Sequence, residues 1–236
     1  MNIHSSKGVE MEPQDPKEKN SKYDRILEAA VKVFASHGFR QSTISQVARE
    51  AGVADGTIYR YFKNKDDILV QFFEYKARQV FGCFRQEVDR AGNSVEKLRN
   101  LVRVHLAEFQ RDPDMAVVYQ VETHQSSRLV EAQIRDMAKG YLDIIAEIVE
   151  QGQSEGSIRK DLYLGLVKRF ILGAVEEVIS TWLHSGRSYD LASMADPLVD
   201  LFIQGIGSGR SGAVNRIEMP ADAGSAIKTT RPSQKT

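Results

Sequence analysis

The sequence predicts an all-α protein of about nine helices. Three observations point there. Apolar residues recur at spacings of three and four from residue 21 to residue 206, the period of an amphipathic helix and not the alternation of a strand. Capping residues stand where those periods begin, and glycines where several of them end. The chain, at 236 residues and 42% apolar, is also long enough to bury a helical core without disulfides. Short runs such as Met115–Val121 have strand character in isolation but lie among helical periods.

The first helix opens at Ser21, an N-cap residue type, buries Ile26, Ala30, Val33 and Phe34, and stops at His37-Gly38. A second, short helix begins at Thr43 with Gln46 three residues on, the spacing of a capping box, and carries Ile44, Val47 and Ala48 before Gly52. A third runs from Asp55 to about Phe62. Asn64 caps a fourth that reaches about Arg90, with Ile68, Phe72, Val80, Phe84 and Val88 inward. Further helices are expected at 94–111, capped by Ser94; at 114–126, with Asp112-Pro113 as N-cap and first helical residue; and at 128–155, 161–184 and 190–206. Residues 1–20 and 207–236 are rich in small, polar and charged residues and bury too little apolar surface to offset ordering, so they are expected to be disordered tails. No internal repeat is visible.

The 32 Lys+Arg and 32 Asp+Glu sum to zero, which by itself argues against a nucleic-acid partner. By segment the balance is uneven: zero over residues 1–22, +3 over 23–65, −6 over 66–206 and +3 over 207–236. A basic front and an acidic middle point to separate jobs. The one cysteine, Cys83, excludes an internal disulfide and a cysteine-based zinc site, and its neighbours Phe81, Phe84 and Val88 suggest a buried, inert thiol. Residues 1–22 lack the apolar stretch of a signal peptide, and no run nears the ~18 apolar residues of a membrane span. A cytoplasmic protein without membrane contact or metal site is the expectation.

Thr43–Phe62 is the informative stretch: a helix of about eight residues, the turn Gly52-Val53-Ala54, then a second helix. Ile44, Val47, Ala48, Val53 and Ile58 can share a small core, the arrangement of a helix-turn-helix whose second helix enters the major groove. Gly56 allows close backbone approach, Thr57 offers a hydroxyl and a methyl, Tyr59, Arg60 and Tyr61 extend outward, and Lys63 and Lys65 follow where phosphates would be met. Two short amphipathic helices joined by a glycine satisfy the bare pattern as well.

The string Thr43-Ile44-Ser45-Gln46-Val47-Ala48-Arg49-Glu50-Ala51-Gly52-Val53-Ala54-Asp55-Gly56-Thr57-Ile58-Tyr59-Arg60-Tyr61-Phe62-Lys63-Asn64-Lys65 goes further. With Gly38-Phe39 before it and Asp66-Asp67-Ile68-Leu69 after, it closely resembles the DNA-binding signature of the TetR family of bacterial repressors, over roughly residues 22–70. The resemblance implies phosphate contacts from Thr43, Tyr59 and Lys65, and groove-facing roles for Ser45, Gly56, Thr57, Arg60 and Tyr61, with Arg60 the place to look for operator-specific readout. It also implies a helix-turn-helix domain at 21–66, a ligand-binding and dimerisation domain at 67–206, and a homodimer on a palindromic operator in which the front charge doubles to about +6.

The last two helices are strongly apolar: Leu162, Leu166, Phe170, Val175, Val178 and Trp182, then Leu191, Met194, Leu198, Phe202 and Ile206, with Gly165 and Gly173 permitting close helix approach. The resemblance implies that 161–184 and 190–206 pair across the dimer as a four-helix bundle; intramolecular packing would look the same in sequence. Phe72, Phe73, Phe81, Phe84, Leu101, Val104, Phe109, Met115, Val118, Tyr119, Tyr141, Ile145 and Trp182 suit a long apolar pocket as well as an ordinary core. His124, Arg128, Arg135 and Lys139 form one stripe on a continuous helix, a landing site for an anion or, with Glu131 four before Arg135, a solvated ion-pair face; a break near Ser126-Ser127 would disturb the register.

A narrower resemblance lies in Asp55-Gly56, the run Ala116–Ser126, Lys139-Gly140-Tyr141-Leu142, Thr181-Trp182 and Tyr189-Asp190-Leu191. These look like the FadR branch of that family, repressors of fatty-acid degradation released from DNA by long-chain acyl-CoA. The resemblance implies no enzymatic activity or cofactor, an acyl chain against Phe72, Phe84, Leu101, Val104, Phe109, Met115, Tyr119, Tyr141, Ile145 and Trp182, and CoA phosphates near His124, Gln125, Arg128, Arg135 and Lys139. His124 departs from the arginine expected there. Two alternatives stay open: a repressor of this kind sensing a drug or free fatty acid, and an enzyme or carrier of CoA thioesters. For the latter, His105, His124 and His184 lack a nucleophile or carboxylate partner in any recognisable motif.

Overall fold

A computed structural model describes residues 16–124 and 129–206. The expected tail residues 1–15 and 207–236, the Ser126-Ser127 break, Gln125, Arg128 and the side chain of His124 lie outside the described residues. In chain order come α1 (Pro16–His37), α2 (Ile44–Ala51), α3 (Asp55–Ile58), α4 (Lys65–Asp89), α5 (Ser94–Arg111), α6 (Pro113–His124), α7 (Glu131–Glu155) and α8 (Leu164–His184). A single 3-10 turn, Ala192–Met194, leads into α9 (Ala195–Ile206). No strand occurs among the described residues, as the helical periods require.

α1–α3 and the start of α4 close around Ile26, Ala30, Val33, Phe34, Val47, Ala48, Ile58, Phe62 and Ile68, all buried. The rest of α4 packs with α5 and α7, and α5 in turn packs against α9. At that last contact Arg99 bridges to Asp196 and Asp200, and Arg103 to Asp196. α1 lies against both α4 and α6, so two helices of the larger unit touch the smaller one directly. No helix among the described residues is long and apolar enough to cross a membrane.

Several boundaries differ from the sequence expectation. α1 starts at Pro16 and not at Ser21, so residues 16–20 are helix and not tail. Proline at a first helical position gives up a donor that would be unpaired anyway, and Lys17, Glu18 and Lys19 are good helix formers. α3 is one helical turn, Asp55–Ile58, after which the chain winds on as turns through Tyr61. Asn93 and not Ser94 caps α5, accepting from the Glu96 amide at 2.9 Å. Ser94 is instead buried as the first helical residue, its amide and hydroxyl donating to Glu155 at 3.0 and 2.7 Å and tying α5 to the end of α7. α7, α8 and α9 begin a few residues later than expected, at Glu131, Leu164 and Ala195. Cys83 is half-exposed on α4 rather than buried. Among the described residues nothing outside its own helix packs closely on Gly173, and at Gly165 the near neighbour is Tyr163, so neither glycine serves a helix crossing among them.

Candidate functional site

The short-helix unit is held by paired backbone ends. Thr43 accepts from the Gln46 amide at 3.2 Å while Gln46 Oε1 accepts from the Thr43 amide at 2.8 Å, completing the capping box. α2 ends at Gly52, whose φ of 65° suits a residue without a Cβ, and Val53 N donates back to Ala48 O at 2.9 Å. Arg25 on α1 donates to the Ala51 carbonyl at 2.7 Å, fixing the end of α2 against α1. The Ser45 hydroxyl donates to the Asp55 carboxylate, joining α2 to the first turn of α3. Val47, Ala48 and Ile58 fill the shared core while Ile44 and Val53 pack at its edge.

The residues expected to meet DNA all keep some contact with solvent. Thr43, Ser45, Gly56, Tyr59 and Arg60 are exposed; Thr57, Tyr61 and Lys65 are half-buried. Tyr59 is the one large ring left 59% exposed in this unit among the described residues. Tyr61 sits 6.5 Å from the Tyr23 ring, which stacks on Phe62 at 5.2 Å and donates from its hydroxyl to Gln71 on α4 at 3.0 Å. Asp67 stitches the same joint, accepting from the Lys63 amide at 2.8 Å and from Gln71 at 2.9 Å.

Lys65 is engaged within its own unit. Its ammonium donates to the carbonyls of Phe39, Arg40 and Ser42 at 2.7, 3.1 and 2.9 Å and lies 4.6 Å from the Phe39 ring centroid. Three donors meet three acceptors, so the side chain is spent on shaping the loop between α1 and α2.

In the larger unit, α4, α5, α6, α7 and α8 line a partly open apolar cavity of about 40 Å³. Phe72, Phe84, Phe109, Met115, Tyr119 and Tyr141 line it, as expected, with Phe73 and Phe81. Leu101, Val104, Ile145 and Trp182 do not. Leu101 and Ile145 are fully buried core one turn from the wall, Val104 packs against the core, and the Trp182 indole donates to the Tyr189 carbonyl at 2.9 Å. The cavity is far smaller than the roughly 300–1,000 Å³ of ordinary small-molecule sites, so a bulky ligand must push lining side chains apart. Two of the walls, α4 and α6, are the helices that rest on α1.

Three polar residues that sequence reasoning did not place there, Lys76, Glu176 and His105, line the cavity as well. Lys76 donates to Asp112 at 2.7 Å, joining α4 to the N-cap of α6. Glu176 accepts from Tyr119 at 3.3 Å and from Gln120 at 3.4 Å. Burial, followed by the nearby Glu176 carboxylate, holds the Tyr119 phenol well above its ordinary range. His105 is fully buried, and desolvation pushes its pKa down to about 3.

The imidazole is therefore neutral when folded, and the unfolded chain binds the proton first as pH falls. Its contribution to stability is complete above about 6.5 and is lost progressively as pH falls toward about 3. Urea unfolding at pH 7 and pH 5 should show wild type losing stability faster than His105→Leu, by up to about 1.4 kcal/mol per pH unit for one proton. Equal steepness in both proteins would show that His105 titrates normally in the native state.

Comparison with known proteins decides what these two units are. Residues 26–72 match the profile of bacterial regulatory proteins of the tetR family, and residues 73–205 that of the YsiA-like protein C-terminal region. The chain belongs to the TetR family. As a TetR-family protein it is a helix-turn-helix transcriptional regulator and not an enzyme. It is 36% identical over 190 residues to the fatty acid metabolism regulator protein of Bacillus subtilis, covering 80% of this chain and 98% of that one. Among solved structures it is similar to the Bacillus subtilis regulator FadR in complex with stearoyl-CoA, with TM-score 0.73, 36% identity, and coverage of 78% of this chain and 99% of that one. It is also similar to the fatty acid degradation regulator FadR of Bacillus halodurans, with TM-score 0.74, 35% identity, and coverage of 82% and 98%.

In this TetR-family chain the described part of the basic stripe, Arg135 and Lys139, stays apart from the cavity. Arg135 pairs with Glu131 at 3.6 Å on the open face of α7, and Lys139 is exposed one turn on. Neither lines the cavity. The polar wall escaped notice because Lys76, His105 and Glu176 lie on three different helices, and no sequence period relates them.

Proposed function

We propose that this chain is a homodimeric repressor of fatty-acid degradation that binds a palindromic operator through residues 21–66 and is released by long-chain acyl-CoA bound within residues 67–206. The observation that carries the reading is the apolar cavity walled by α4 and α6, the helices that bear on the DNA-binding unit, in a chain 36% identical to a regulator solved with stearoyl-CoA. The acyl chain would part the lining side chains, and displacement of α4 and α6 would carry α1 and the recognition turn with them. Release then depends on the affinity difference between the DNA-competent and ligand-competent conformers.

Dimerisation is supported by the apolar side chains that the isolated subunit leaves in solvent. Tyr163, Leu166 and Phe170 at the start of α8 and Leu201 on α9 are 59–78% exposed, while Val175 and Trp182 turn into the chain's own core. Such a patch on a soluble regulator marks a protein interface.

The test uses an operator selected by the purified protein from random duplex DNA. Stearoyl-CoA is expected to bind by calorimetry and to release that operator, with stearate and CoA alone ineffective. Release by stearate alone would favour the free-fatty-acid reading, and no heat with stearoyl-CoA would remove the acyl-CoA reading. Arg135→Ala with Lys139→Ala should keep operator affinity and raise the stearoyl-CoA needed for release by about tenfold. Unchanged release would sink the α7 stripe as the phosphate site.

A further inference from the structure

The cavity wall holds two polar side chains with atoms that have nothing to bond. His105 Nδ1 on α5 and the Tyr141 hydroxyl on α7 are both buried without a hydrogen-bond partner. Their rings meet edge to face at 4.7 Å, and both line the cavity. The surrounding rings are Phe84, 5.4 Å from each, and Phe109, 5.3 Å from His105. Burial, followed by the nearby Glu176 carboxylate, holds the Tyr141 phenol above its ordinary range, yet no hydrogen bond reaches either atom among the described residues. The other polar residues of the wall are engaged: Tyr119 with Glu176, and Lys76 with Asp112. Buried polar groups are almost always paired, and an open pair facing an otherwise apolar cavity disfavours the empty form relative to one in which a ligand atom completes it.

Building on the acyl-CoA reading, we propose that His105 and Tyr141 form a hydrogen-bonding station for an uncharged oxygen of the acyl group, either its thioester carbonyl or a hydroxyl or keto oxygen on its chain. A neutral imidazole and a phenol can each donate or accept, so together they serve a carbonyl or a hydroxyl. A free carboxylate is a poor occupant. Glu176 already brings a carboxylate to this wall, and the one lysine on it is paired with Asp112. The station would fix the register of the acyl group along the cavity, which apolar contact alone leaves free to slide.

Tyr141→Phe removes one hydroxyl and leaves the ring in place. Its affinity is compared with that of wild type for stearoyl-CoA, 3-hydroxystearoyl-CoA and S-octadecyl-CoA, a thioether that lacks the carbonyl. If the carbonyl is the occupant, wild type prefers stearoyl-CoA to the thioether by about tenfold and the substitution erases that preference. If the occupant is a chain oxygen, wild type prefers the hydroxyacyl compound by a similar factor and the same substitution erases that. Equal loss for all three probes, or no change for any, overturns the proposal. Failure of wild type to bind any of them removes the acyl-CoA reading and this inference with it. His105→Leu, measured against the same three probes, is the second variant should the first not fold.

Discussion

Lys65→Met is expected to weaken operator binding by about a hundredfold while leaving its salt dependence unchanged. The side chain reaches from the start of α4 to three carbonyls of the loop Phe39–Ser42, and that loop delivers Thr43 to the capping box that begins α2. Methionine keeps the aliphatic stem and removes all three charge-assisted donors, leaving the carbonyls without their partner. A loss of about 3 kcal/mol in holding that loop corresponds to about a hundredfold in affinity if the loop must be in place to bind. Anisotropy titrations at several salt concentrations separate the two roles of the residue. A phosphate contact would lower the slope of log K against log salt by about one when removed, whereas a positioning contact leaves it alone. A slope reduced by one would restore the phosphate role, and an unchanged affinity would show that the loop stands without the ammonium.

Ala138→Trp is expected to abolish release by stearoyl-CoA and leave operator binding intact. Ala138 lines the cavity from α7, where a large ring would occupy the space the acyl chain needs. With only about 40 Å³ open, the wall has little room to absorb both an indole and a ligand. Stearoyl-CoA affinity should fall by about a hundredfold or more, measured by calorimetry, and the variant should repress constitutively in a reporter strain. The residue is remote from α2 and α3, so an equal loss of operator affinity would point to misfolding, which a melting curve would reveal. Normal release would place the acyl chain elsewhere.

The helix-turn-helix was legible because its determinants are local. The capping box of Thr43 and Gln46, the left-handed glycine at position 52 and the Asn64 cap each act within a few residues, and each is present as the sequence implies. The loop contacts of Lys65 were not legible because its partners lie 23–26 residues away, and a lysine beside a DNA-binding motif carries no local mark of being occupied. Ser94 was misjudged for the same reason. It is a good cap by type, but Asn93 stands one residue earlier and Glu155 claims the serine hydroxyl from 61 residues away. In the cavity the sequence identified which helices carry bulky apolar residues but not which residue faces inward. Leu101 and Ile145 share the periods of His105 and Tyr141 and differ from them by a single turn.

The narrowness of the cavity has a consequence for what the regulator can distinguish. Under the proposed reading, parting α4 and α6 is a cost that every acyl chain must meet, whereas each buried methylene returns about 0.8 kcal/mol. Short acyl groups cannot meet that cost, and beyond the threshold each added two-carbon unit strengthens binding by about fifteenfold. Under the proposed reading, a response of that steepness turns a graded series of chain lengths into a cut-off. Operator occupancy would then follow the presence of long acyl chains and ignore the shortened ones their breakdown leaves behind.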